Sequence, residues 1–109
     1  HTRDDGHTFF KPMYPRWDDK IITEAEHNFI GGVSVTTIKK EVKVRYDPDL
    51  RMLLDVDFYY HTMLEYGMPI FYQDTLICNR VRDTDTLMAE VTPEEVQEEF
   101  KYCKKKYDL

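Results

Sequence analysis

Long apolar runs are missing from this chain of 109 residues. Nothing approaches the ~18–20 consecutive apolar residues that a membrane-spanning helix requires. The longest apolar stretches, such as the one around Phe29 to Val35, are strand-sized. No basic segment leads into an apolar one at the start, so no signal peptide is read. Positive charge is in deficit: the formal net charge is −6 and the pI near 5.1. That balance excludes generic nucleic-acid binding. Histidine is scarce, with His1, His7, His27 and His61 in no HxH or HExxH spacing, so no dedicated metal site is expected. Gly31-Gly32 is a turn signal without the form of a phosphate-binding loop, and there is no GxSxG. The cysteines, Cys78 and Cys103, have neither metal nor redox spacing and no obvious histidine partner. They read as buried thiols in a reducing, cytoplasmic compartment, with a disulfide between them left open.

What is present is enough for one small domain. The hydrophobic fraction is 41%, and Trp, Tyr and Phe supply 1, 8 and 6 residues, a composition that excludes a disordered chain. Residues 1–20 read as an irregular arm with Phe9, Phe10, Tyr14 and Trp17 as apolar anchors. Residues 21–27 fit a short helical turn. Beyond the Gly31-Gly32 break, Val33, Val35 and Thr37 alternate with Ser34, Thr36 and Ile38, which is a strand signal. Lys39 to Val44 extends it or pairs with it as a hairpin, before a turn at Tyr46-Asp47-Pro48-Asp49.

A helix is expected over 50–66, with Val56, Tyr60, Met63 and Leu64 near one face and Gly67 and Pro69 as its stop. Short strands are expected at Pro69–Tyr72 and Thr75–Val81, then a polar loop over 82–91. A last helix over 92–109 opens on Thr92 as N-cap, Pro93 at its first position and Glu95 in a capping box. Val96, Phe100, Cys103 and Tyr107 form its apolar stripe. Its glutamates crowd the start and Lys101, Lys104, Lys105 and Lys106 the end, complementing the helix dipole. The fold expected is α/β (α+β): one domain with a small mixed sheet and two main helices.

Chemistry concentrates in Leu53-Leu54-Asp55-Val56-Asp57-Phe58-Tyr59-Tyr60-His61. Carboxylates inside an apolar run need partners. Asp55 and Asp57 fall in the first turn of the expected helix. There they serve either as caps for free N–H groups or, for one of them, as a general base facing a cleft.

The order NFIGGVSVTTIKKE, YDPDLRMLLDVDFYYHTMLEYG, MPIFYQDTLICNRVRD resembles the C-terminal, acceptor-side half of a family 2, GT-A-type glycosyltransferase. Asn28, Ile30, Gly31, Ser34 and Lys39 fit a motif N-x-I-G-x-P-S-x-x-x-x-[KR], with Val33 where proline is usual. Asp47, Leu50, Asp55, Asp57, Phe58 and His61 fit the next element, and Gly67, Pro69, Leu76, Arg80 and Val81 the last. The resemblance covers roughly residues 27–85. It implies transfer of a sugar from a nucleotide-sugar donor to an acceptor hydroxyl, usually with inversion. Asp55 corresponds to the catalytic base. Asp57, Gly31, Gly32, Ser34, Trp17 and His61, with Tyr14, would support the acceptor side, and Arg80 and Arg82 would contact diphosphate. Arg82 stands where metal-dependent members end in R-V-H, so no metal ligand is assigned. A divalent ion such as Mn or Mg belongs to the complete enzyme.

The nucleotide-binding half with its D-x-D motif has no counterpart in this sequence. Asp47-Pro48-Asp49, Asp55-Val56-Asp57 and Asp83-Thr84-Asp85 follow no nucleotide-binding strand. The chain, which opens on His1 rather than Met, is therefore read as a piece of a truncated, split or longer enzyme, inactive alone. It is expected to form a homo-oligomer or to pair with the missing half, because a half-fold exposes apolar surface. The competing reading is a non-catalytic oligomeric structural or binding module whose acidic pair caps a helix.

Overall fold

The structure, a computed structural model, describes residues 14–72 and 91–109, and its main elements are helices. Helix α1 spans Leu54–Tyr66 and stops where the sequence places its stop. Gly67 adopts φ +92°, a region L side chains rarely enter, and its N–H closes on the Met63 carbonyl at 2.8 Å. Helix α2 spans Pro93–Lys106. Thr92 caps it by accepting the Glu95 N–H at 3.3 Å, and Pro93 gives up no hydrogen bond at the first position. The Glu95 carboxylate lies 3.8 Å from the Arg51 guanidinium, which links the start of α2 to the segment leading into α1. Phe100 and Cys103 are buried along the stripe expected for α2, with Val96 and Tyr107 packed at its margins.

The expected α/β (α+β) architecture is corrected: no strand occurs among the described residues, and the fold there is helical. The alternation after Gly32 was the strand signal, yet Val33–Val35 form a 3₁₀ turn. Its bonds run from the Val35 N–H to Gly32 at 3.2 Å and from the Thr36 N–H to Val33 at 3.1 Å. Residues 36–44 then run without a ladder partner, and a strand exists only by pairing. A turn from Lys39 to Val42 begins as a hairpin would. The groups that would pair go instead to a side chain of α1: the Lys43 N–H donates to the Tyr66 hydroxyl at 3.0 Å, which donates to the Glu41 carbonyl at 3.4 Å. Pro69–Tyr72 forms no strand either, and Ile70 and Tyr72 are well exposed. The expected strand at Thr75–Val81 and most of the loop over 82–91 lie outside the described residues.

The helical turn expected at 21–27 forms earlier, as a 3₁₀ helix at Asp19–Ile22 capped by the Asp18 carboxylate on the Lys20 N–H at 2.8 Å. It seats Ile21 and Ile22, almost wholly buried, and both helices pack against it. Burying two such side chains favours the fold by about 1.5–3 kcal/mol each. Val56, Phe58 and Tyr59 from α1 and Ile30, Val44 and Leu50 from the intervening chain complete the centre, with Trp17 packed on its edge. The arm is also tied to the loop that follows: the Arg16 N–H donates to Phe29 at 3.1 Å, and its guanidinium lies 3.8 Å above the Phe29 ring. Among the described residues, no helix is long and apolar enough to cross a membrane.

Candidate functional site

Residues two apart on a helix point about 200° from one another, and the two aspartates of α1 have separate fates. Asp57 is fully buried and faces α2. Its Oδ1 accepts the Tyr107 hydroxyl at 2.5 Å, and its two oxygens receive Lys106 Nζ at 3.0 and 3.1 Å. Lys106 also reaches Asp47 Oδ2 at 2.9 Å, and the Tyr102 hydroxyl donates to the same oxygen at 2.8 Å. Burial opposes the charge of Asp47, but Lys106, the Asp49 N–H and Tyr102 outweigh it and hold its carboxyl below the usual range. Lys106 is likewise desolvated, and its two carboxylates more than compensate, so its ammonium is held above the ordinary value. Tyr102 is pushed up to about 12 by the bond to Asp47. Tyr107 is raised by burial and by Asp57. Both oxygens of Asp57 are thus engaged in joining α1 to the C-terminal end of α2.

Neither aspartate stands at the N-cap of α1, although the Asp55 carboxylate accepts its own N–H in the first turn. Leu53 stands at the N-cap and offers no side-chain bond. The cap comes from α2: the Glu99 carboxylate accepts the N–H groups of Arg51 at 2.6 Å, Met52 at 2.8 Å and Leu53 at 2.8 Å. Those N–H groups converge on one carboxylate, which is why regular helix begins at Leu54 rather than at Leu50.

Asp55 lies on the other face, half-buried, with no ion-pair partner among the described residues. Burial raises its carboxyl, opposed only by a hydrogen bond from its own backbone N–H. One turn on, Tyr59 donates its hydroxyl to the Gly31 carbonyl at 3.0 Å. Burial and the charge of Asp55 both raise the Tyr59 phenol, while the Thr36 side chain at its hydroxyl acts the other way. The loop it meets is shaped by Asn28. Asn28 Oδ1 accepts the N–H groups of Ile30 and Gly31, each at 3.1 Å, and Nδ2 donates back to the Gly31 carbonyl at 3.3 Å. Gly31 has φ +104°, the conformation that favours glycine. The N-x-I-G string therefore encodes a side-chain-closed turn.

Of the expected acceptor-side residues, the structure brings Gly31 to the face of α1 that carries Asp55, with Gly32 exposed beside it. Ser34 lies in the adjoining 3₁₀ turn. His61 goes elsewhere: its Nε2 lies 2.9 Å from Glu65 and its ring 6.4 Å from that of Tyr107, beside the Asp57 network. Trp17 donates its indole N–H to Asp19 at 2.8 Å and packs on the core. Arg80 and Arg82 lie outside the described residues. Among those described, no group of three His, Cys, Asp or Glu residues is placed to hold a metal ion. Cys103 is a free buried thiol, pushed up to about 12 by burial and then by Asp57.

Sequence reasoning missed Asp47, Glu99, Lys106 and Tyr59. Lys106 carried a usable signal, because it follows Cys103 by three residues and so adjoins the buried stripe. Glu99 carried none, since its acceptor role depends on how α2 docks. Compared with known proteins, the chain matches no family model, no curated protein and no solved structure.

Proposed function

We propose that the chain is the acceptor-side part of a family 2 glycosyltransferase in which Asp55 is the general base. The observation that carries this reading is Asp55 itself: a half-buried carboxylate without a cation among the described residues, its proton affinity raised by burial, on the helix face latched to a glycine turn. Structural carboxylates in this chain are engaged by neighbouring donors, as Asp57 and Glu99 are. Asp55 keeps its acceptor capacity for an external hydroxyl. In the reaction it would take the acceptor O–H proton as that oxygen bonds to the anomeric carbon and the nucleoside diphosphate leaves from the opposite side. A raised carboxyl is the stronger base for that step. Donor binding falls to a nucleotide-binding half bearing D-x-D and its divalent ion, and the resemblance makes Arg80 and Arg82 candidates for contacting the diphosphate.

The test is transfer from a panel of nucleotide sugars to saccharide acceptors, using this chain together with the donor-binding half. Asp55→Asn should lower kcat by about 10²–10⁴-fold, the usual yield of a positioned base, with the helical circular dichroism intact. Undiminished transfer by that variant removes Asp55 from the chemistry. A non-catalytic binding module is the second reading, favoured by the use of both Asp57 oxygens in holding α1 to α2. It gains if no nucleotide sugar is bound or turned over when the halves are combined.

A further inference from the structure

Tyr59 is the residue whose placement the reaction scheme above leaves unused. It stands one turn after Asp55, is buried except for 8% of its surface, and donates its hydroxyl to one loop carbonyl, that of Gly31, with the Thr36 side chain also at that hydroxyl. That carbonyl is also the one that Asn28 Nδ2 holds. Gly31 is thus gripped from the loop side by Asn28 and from the helix side by Tyr59. A phenylalanine would fill the same space against Ile30 and the core without making the second grip.

We propose that Tyr59 is a positioning residue. Its hydroxyl latches the turn shaped by Asn28 against α1, so that Gly31-Gly32 and Asp55 form one surface for the acceptor hydroxyl. The inference rests on the reading of Asp55 as the base. The loop is otherwise lightly held on its outer side: nothing lies within 4 Å of the position a Gly32 side chain would occupy. Ile30 keeps the base of the turn in the core, but without the latch the Gly31 carbonyl loses its tie to α1, and water entering between turn and helix reduces the partial desolvation that raises the proton affinity of Asp55. The influences on the Asp55 carboxyl are burial and, acting the other way, its own N–H, and Tyr59 is the titratable neighbour on which its charge acts, so a change in burial reads out directly in its midpoint.

The experiment compares wild type, Tyr59→Phe and Asn28→Ala in two settings. In this chain alone, carboxyl ¹³C NMR follows the titration of Asp55, and amide exchange follows Gly31 and Gly32. Both variants should move the Asp55 midpoint down toward 3.8 and speed exchange at the two glycines, with helical content unchanged. In the transferase assay with the donor-binding half, Tyr59→Phe should lower kcat/KM for the acceptor about 3–10-fold, the equivalent of one neutral hydrogen bond. The acid limb of its pH profile should shift the same way as the NMR midpoint. An Asp55 midpoint and glycine exchange that stay at wild-type values in both variants overturn the latch. So does a loop that opens in Tyr59→Phe with no change in acceptor kinetics. Failure of the base reading is visible separately, as full activity in Asp55→Asn.

Discussion

At the scale of single residues, two aspartates two positions apart serve opposite ends. Asp57 is fully buried and matched by Lys106 and Tyr107. Removing one partner of such a pair strands the other charge, so Lys106→Met should cost about 3–5 kcal/mol in chemical denaturation. Replacing Asp57 and Lys106 together by apolar residues of like volume should cost less, because Asp57 is no longer stranded and Asp47, which loses Lys106, keeps the Tyr102 hydroxyl and the Asp49 N–H. Equal losses in the single and double variants would show that the pair acts only through packing. Gly32 gives a prediction of the other sign. Its φ of −76° suits any residue, and a Cβ there meets open space. Gly32→Ala should therefore stabilise the fold by about 0.4–1 kcal/mol by restricting the unfolded chain. If the acceptor approaches at this turn, the same variant raises the acceptor KM. A gain in stability with unchanged KM would leave Gly32 outside the site.

At the scale of elements, the helices were legible and the sheet was not, and the difference has a physical cause. Helix stops and caps are written within a few residues: Thr92, Pro93 and Gly67 each act within one turn of where they stand. A strand depends on a partner elsewhere in the chain. The β-branched residues from Val33 to Ile38 have the right pattern, but the Lys43 N–H and Glu41 carbonyl that begin the return are taken by Tyr66. The same distinction governs the site. The N-x-I-G turn closes on its own side chain and could be read locally. The contacts of Glu99 and Lys106 span 46 and 49 residues and are invisible to periodicity. Glu99 yields a direct check on this long-range capping. Glu99→Ala removes the acceptor for the N–H groups of Arg51, Met52 and Leu53 and should cost about 1–3 kcal/mol. Amide exchange should quicken first at residues 51–55 rather than along α2. Protection lost evenly over both helices would mean that Glu99 holds the helices together without acting as the cap of α1.

At the scale of the whole molecule, charge is arranged so that alkali is more disruptive than acid. Tyr59, Tyr102, Cys103, Lys106 and Tyr107 are all held above their ordinary values, and all but Tyr59 belong to α2 and its C-terminal end. For each, the folded chain keeps a proton that the unfolded chain releases, so stability falls as pH rises from the unfolded value toward the folded one. Cys103 begins this loss near 9.0 and carries it to about 12, the tyrosines join from 10.0, and Lys106 from 10.5. On the acid side Asp47 is held below 3.8, so its contribution is present above that value and lost as pH falls through the folded one. Asp55 runs against it. Its raised carboxyl makes ionisation unfavourable in the folded chain, and that cost is relieved as the pH drops through its folded value. Thermal midpoints should therefore hold steady from neutrality down to the carboxylate range and decline steeply above about pH 9, where Cys103 starts to titrate. Asp55→Asn should raise the neutral midpoint and leave most of the alkaline decline in place, because Tyr102, Cys103, Lys106 and Tyr107 belong to the α2 side and only the part that Asp55 contributes to Tyr59 is lost. Cys103→Ala should delay the onset of that decline. A symmetrical profile about neutrality, or an alkaline limb that begins at the same pH without Cys103, would show that the α2 seam does not govern the pH response of the fold.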